Sequence, residues 1–288
     1  MITLPLSPAT DVMHKQSVNS GQLPNMHGSM FGARGARAGA GFVGVAIFLL
    51  VWWLLAEVLP RHPVVLVPTP LSVFHAFWRN RGQLGADVTA SAAEAFGGWA
   101  IGSLAAILVG LVAGQVRVVR KTVVPVVEVL RPISPIAWAP LGIVWFGAGY
   151  TSKAFLVALI SFFMLIVNVL HGATTVPPLL TRAADMLGIN GVRRFLRVTL
   201  MSAVPDILTG LRLGLAAAWG GVIVAEIVAG QGTTGLGALE LYAEQAYDVP
   251  TVILGMVIIA VLGFLFNAAF VRLERRLFPW AIESRKAD

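Results

Sequence analysis

The chain has 288 residues, of which 57% are hydrophobic and only 12% charged, and its mean hydropathy is +0.81. Soluble domains carry about a quarter charged residues, so this composition excludes a soluble globular protein and indicates an all-α, polytopic membrane protein. The formal net charge is +7, and the absence of cysteine excludes disulfides, thiolate metal sites and cysteine nucleophiles.

Residues 1–37 are polar, rich in Gly, Ser, Asn and Met, and end on Arg34 and Arg37. They read as a disordered cytoplasmic tail. The apolar run Ala38 to Leu59 is too long for the core of a signal peptide and reads as a first span, with Trp52 and Trp53 as interface anchors. Pro60 stops it, and residues 61–88 are expected to form an external loop. Pro63, Pro68 and Pro70 bar a regular helix before Leu71. Leu71 to Trp78 is then a short interfacial helix carrying Phe74, Phe77 and Trp78.

Ser91 to Val116 is the second expected span. Its pairs Gly98/Gly102 and Gly110/Gly114 have the spacing that lets helix backbones approach closely. The third, Thr122 to Phe146, is interrupted by Pro125, Pro132, Pro135 and Pro140, and the fourth runs from Lys153 to His171. A polar, basic island from Thr181 to Pro205 follows. Asp206 to Ala229, with Gly210/Gly214, is the fifth span. An external loop with Glu240, Glu244 and Asp248 leads to a sixth, Pro250 to Val271. The expected organisation is therefore a tail (1–37), a six-helix transmembrane domain (38–271) with a cytoplasmic loop at 181–205, and a second tail (272–288).

Lysine and arginine placement sets the orientation, because cytoplasmic loops carry the excess. With the N-terminus inside, Arg34 and Arg37, Arg117, Arg120 and Lys121, Arg182, Arg193, Arg194 and Arg197, and Arg272, Arg275 and Arg276 all fall on the inner side. Outside lie only Arg61, Arg79, Arg81 and Lys153. Both termini and the island are therefore expected in the cytoplasm of a cell with this protein in its cytoplasmic (inner) membrane. The positive charge serves topology, so no nucleic-acid partner is implied.

Catalytic machinery is missing. None of the four lysines follows a glycine, so there is no phosphate loop, and the five histidines form no i,i+4 metal pair. No nucleophile elbow or paired carboxylates occur. The expectation is a chain with no catalytic residues, no metal and no cofactor of its own, whose energy comes from another subunit or from an ion.

Charged residues at membrane depth are costly and are functional candidates by default. Arg131 follows Glu128 by three residues on one helix face; it either pairs with that acid or leaves a positive field along an anion path. Arg212, inside the fifth span near its cytoplasmic end, serves snorkelling or helix packing, or else coupling or the pathway, and Glu226, near the outer end, serves packing, a gate or a partner contact. Trp138, Trp145 and Trp219 either line a cavity or pack against helices and lipid. The external acids Glu240, Glu244 and Asp248 either meet a partner or are solvated.

In the island, Ala183 and Ala184 give a helix a narrow face, Thr181 is placed to cap its start and Gly188 to end it. Arg182 to Gly188 (RAADMLG), with Val198 and then Leu200 at the right distance beyond, resembles the EAA loop. That loop marks the membrane subunits of binding-protein-dependent ABC importers. Leu130 to Lys153, Pro205 to Ala229 and Val67 to Trp78 are similar to the nitrate/sulfonate/taurine permease branch, and the resemblance covers about residues 40–280. Two positions depart from the pattern: the consensus glutamate is Arg182, and the proline after Leu200 is replaced by Met201, with Pro205 the nearest.

The resemblance implies a type I ABC importer fold in a homodimer, with two cytoplasmic ATPase subunits that bind ATP and magnesium and an extracytoplasmic solute-binding protein. It makes Arg182, Ala183, Ala184, Asp185, Gly188, Arg193, Arg194 and Arg197 the ATPase-coupling residues. A small anion is the implied substrate, taurine or another alkanesulfonate first and a nitrate-like anion second. An ion-coupled secondary carrier is the alternative; it would require an inverted repeat and a membrane-buried acid, and no repeat is visible.

Overall fold

A computed structural model describes residues 43–44, 46–57, 67–229 and 234–280. The two expected tails, Pro60, Arg61 and Pro63 lie outside the described residues, apart from the stretch of the second tail up to Trp280. Among the described residues no strand occurs. A first unit ends at Leu54 and a second begins at Leu55. Helix α1 (Ala46–Glu57) is the described part of the first expected span, and within the first unit its Phe48 and Trp52 rings lie 6.4 Å apart.

In the second unit, α2 spans Pro70–Gln115. Thr69 caps it: its hydroxyl accepts from the Ser72 N–H at 3.3 Å, and Pro70 takes the first helical position. No proline follows until Pro125, and the helix runs unbroken for 46 residues. At 1.5 Å per residue that is about 69 Å. The expected external loop (61–88) is therefore corrected from Pro70 onward, and so is the separate helix Leu71–Trp78: both stretches belong to α2. The polar stretch that looked like a loop is helical because Asn80, Asp87 and Ser91 find partners on other elements.

Helices α3 (Arg117–Leu130) and α4 (Pro135–Phe146) replace the expected third span and bend by 103° across a short break. Pro132 lies in that break and Pro135 ends it; Ser134, before Pro135, is extended with ψ 135°, as a following proline favours. Helix α5 spans Tyr150–Thr174, α6 Pro178–Met186 and α7 Gly191–Arg194, which passes through a π-helical turn (Phe195–Thr199) into α8 (Leu200–Ala229). Pro205 sits inside α8 without ending it, so the island has no break at its expected C-terminal edge. The expected external loop contains a short helix, α9 (Leu236–Gln245), before α10 (Val249–Leu277). By length and composition, α2, α5, Gly191–Ala229 and α10 are each able to cross a membrane; the bent α3/α4 pair is either a broken fifth span or a re-entrant loop.

Small residues set the packing. A Cβ on Gly102 would overlap the Ala158 carbonyl, and Gly98, Gly110 and Gly114 face Val157, Val169 and Ala173 of α5 in the same way. Gly210 brings α8 against Leu165 and Asn168 of α5. Helix α5 is thus sandwiched between α2 and α8. Two apolar clusters result, one around Leu156, Val157, Trp219 and Val222, the other around Leu165, Ile166, Val169 and Ile207. Gly102→Val should cost about 1–3 kcal/mol by forcing α2 off α5; a lowered unfolding temperature of the detergent-solubilised chain is the readout, with Gly44→Val as the unaffected control, since a Cβ there meets nothing.

Candidate functional site

The island is built around α6. Pro177 precedes it and Thr181 lies in its interior, so Thr181 is not its cap. At the other end Gly188 has φ +67°, its N–H donates to the Asp185 carbonyl at 3.1 Å, and the Ile189 N–H reaches back to Ala184 at 2.9 Å. This pair of bonds satisfies carbonyls that a helix end otherwise leaves open. Ala184 is buried and Ala183 half-buried, both turned inward onto the cavity behind α6. Asp185 pairs with Arg194 at 2.9 Å, closing the loop between α6 and α7. Arg182 and Arg193 are exposed. Arg197, with His171, Ala183, Ala184, Met201 and Asp206, lines a cavity of about 680 Å³ behind α6. On the outer side Leu179, Met186, Leu187 and Val192 leave their side chains exposed.

At the opposite end of the same helices lies a buried polar node. Lys153 of α5, placed outside by charge counting, is 1% exposed and forms an ion pair with Glu94 of α2. Glu226 of α8 is fully buried; it accepts from the Ser91 hydroxyl and from the Gly237 N–H at 2.6 Å. Ser91 in turn accepts from the Leu236 N–H at 2.8 Å, and Asp87 from the Gly235 N–H at 3.1 Å. Three successive backbone donors at the start of α9 are thus capped by side chains from α2 and α8. Glu226 is therefore enclosed between α2, α8 and the start of α9. Glu94, Asp87 and Lys153 were missed because charge placement in the sequence was read as loop and topology signal. The available clue was an isolated acid in SAAEAFGG and an isolated lysine in TSKAFLV, opposite charges set in small, apolar surroundings.

Arg212 and Trp219 line one cavity of about 160 Å³ between α8 and α10, together with Asn267. The Arg212 Nε–H donates to Asn267 Oδ1 at 2.9 Å, and the Trp219 Nε1–H to the Ile259 carbonyl at 2.9 Å. Trp138 is half-buried against the first apolar cluster, and Trp145 is exposed with its ring 5.9 Å from that of Phe155. Arg131 and Glu128 form no ion pair; both are exposed on the single chain where α3 ends at the bend. Of the loop acids, Asp248 pairs with Arg79 and accepts from Thr251 at 2.7 Å, while Glu240 is half-buried against Gly255. Among the described residues no cluster of ligands for a metal occurs.

The family model described as binding-protein-dependent transport system inner membrane component matches residues 102–279. The chain belongs to that family. It is 34% identical over 243 residues, 82% of this chain and 87% of the relative, to a taurine transport system permease protein of Escherichia coli (strain K12). It is 30% identical to an aliphatic sulfonates transport permease protein of Bacillus subtilis (strain 168), covering 82% of this chain and 85% of the relative. A riboflavin transport system permease protein of Chloroflexus aurantiacus is 32% identical, over 81% and 87% of the two chains. The inward-facing MetNI methionine ABC transporter shares the fold, with a TM-score of 0.61 at 20% identity over 69% of this chain and 97% of that one. The protein is thus a permease component of an ABC importer with the type I fold, a transport subunit rather than an enzyme.

In the permease, removing one member of a buried pair strands the other charge. Lys153→Met should destabilise by about 3–5 kcal/mol, and adding Glu94→Leu should restore most of that loss; thermal unfolding in detergent measures both. On α9, burial pushes the Glu240 carboxyl above its ordinary range, and its Oε1 has no hydrogen-bond partner among the described residues. The neutral acid is the form that packs, so its contribution is complete at low pH and is lost as pH rises through the raised pKa. Glu240→Gln should flatten that part of the stability-versus-pH curve above the usual glutamate range, read as the unfolding temperature against pH.

Proposed function

We propose that the permease works as a homodimer that moves a small organic anion inward across the cytoplasmic membrane, with both termini in the cytoplasm. Two ATPase subunits, holding ATP and magnesium, dock on the island of each copy, and a solute-binding protein delivers the substrate at the opposite face. Closure of the ATPases displaces α6 and alternates the access of the pathway between the two sides. Arg182, Ala183, Ala184, Asp185, Gly188, Arg193, Arg194 and Arg197 form the docking element. Arg131, Trp138, Trp145, Arg212, Trp219 and Glu226 are the candidate residues of the pathway and its walls.

The observation that carries this reading is the exposed end of α6. A helix that stops on a glycine in the left-handed region, with Met186 84% and Leu187 75% exposed beside Arg182 and Arg193, is suited to insertion into a partner's groove. The relatives named for taurine and aliphatic sulfonates support an alkanesulfonate as the substrate; the relative named for riboflavin makes that compound the competitor to test.

Gly188→Val forces a β-branched residue into the left-handed region at a cost of about 1–2 kcal/mol. Co-purification with the ATPase should fall at least tenfold while the yield of membrane-inserted permease is retained. Unchanged co-purification would refute the docking element. Uptake by liposomes containing the chain alone, without an ATPase, would instead support the ion-coupled carrier. Competition between labelled taurine and riboflavin in the full complex identifies the substrate class.

A further inference from the structure

We infer that the cavity between α8 and α10 is an anion-binding subsite that holds the acidic headgroup of the substrate; this rests on the importer reading above and names where the charge is met. Its lining carries one cation, Arg212, one amide, Asn267, the rings of Trp219 and Phe266, and no acid. Among the described residues no carboxylate pairs with Arg212, whose one protein partner is neutral. Arg212 is exposed on the single chain, within a helix apolar enough to span a membrane; a guanidinium on such a span without a counter-ion is costly, and an anionic ligand supplies the missing charge.

The geometry suits that ligand. The bond from Arg212 Nε to Asn267 Oδ1 fixes the guanidinium plane and leaves its two terminal NH2 groups, and the Asn267 NH2, as donors. Two parallel N–H donors match the oxygens of a sulfonate or carboxylate. Trp219 has already spent its only donor on the Ile259 carbonyl, so it offers a ring surface to the apolar part of the ligand. Gly263 keeps α10 near, since a Cβ there would press on Trp219 at 2.9 Å. Donors on one wall and rings on another specify an organic anion with a single compact headgroup.

The chain has no cysteine, which permits a direct test. Ala216→Cys places a thiol on the lining without touching the Arg212–Asn267 bond. The full chain, in proteoliposomes, is treated with the sulfonatoethyl and the trimethylammonium-ethyl methanethiosulfonates, and each rate is normalised to that of a free thiol. A positive, water-reachable cavity should favour the anionic reagent roughly tenfold. Arg212→Gln should erase the preference, and Arg212→Lys, which keeps the charge, should retain most of it. Ethanesulfonate at millimolar concentration should slow the anionic reaction several-fold in the chain with Arg212 intact.

Equal normalised rates, a preference that survives Arg212→Gln, or a thiol that reacts only after denaturation would each overturn the subsite. A preference that depends on Arg212 but is blocked by a carboxylate and not by ethanesulfonate upholds the subsite and overturns the sulfonate assignment. Loss of anion uptake with binding-protein-stimulated ATP hydrolysis kept within twofold in Arg212→Gln supports the subsite; equal loss of both overturns it in favour of a coupling role.

Discussion

The ion pair between Glu94 and Lys153 is the constraint on which one end of the bundle depends. It joins α2 to α5 where neither side chain has water to fall back on. Desolvating two ions is repaid only when their remaining hydrogen-bonding capacity is used or their neighbours are favourable. Around the pair, Glu226 and Ser91 link α8 and α2, and Asp87, Ser91 and Glu226 together receive the first backbone donors of α9. The positive end of the α9 dipole therefore points into a site with two carboxylates beside it, which offsets part of their excess negative charge. Removing any one member exposes the others to an apolar environment.

Elsewhere the helices are held by proximity. Lipid offers apolar side chains as good a home as a helix neighbour does, so close packing and buried hydrogen bonds must supply the association energy. Four glycines of α2 lie along the α5 contact, and two tryptophans reach across to backbone carbonyls: Trp99 to Leu211 at 3.1 Å and Trp219 to Ile259 at 2.9 Å. The aromatic rings continue the contact, with Trp219 and Phe266 4.9 Å apart and Phe266 and Phe96 5.0 Å apart. Helices α2, α8 and α10 are thereby tied around the cavity that Arg212 occupies.

Most of the spans were legible from apolar run length, and the four-residue glycine pairs named the faces that meet. The left-handed Gly188 was legible too, because a glycine after a short helical run has a local conformational meaning. What escaped was set by partners distant in sequence. Residues 79–88 read as a loop since their polar groups had no visible partner, but Asn80 meets Thr251 and Asp87 meets Gly235 only after folding. Lys153 looked like a topology marker because a lysine beside an apolar run is normally at the surface; its pairing with Glu94 is invisible until α2 and α5 are side by side. Thr181 was read as a cap, and Pro177 preceded α6 instead, moving the helix start by a turn.

The passage from α7 through the π-helical turn into α8 gives one continuous helix, Gly191–Ala229. Arg197 and Glu226 therefore belong to the same continuous helix, and the 29 residue steps from one to the other span about 44 Å at 1.5 Å each. The π-helical turn and Pro205, which has no N–H to give the Met201 carbonyl, are two compliant points near the island; beyond Pro205 the helix has no further break, so whatever part of a twist passes the proline reaches Glu226 as a change of azimuth. There it must either be refused by the bonds to Ser91 and Gly237 or break them together, which makes the two ends of the permease report on each other in both directions.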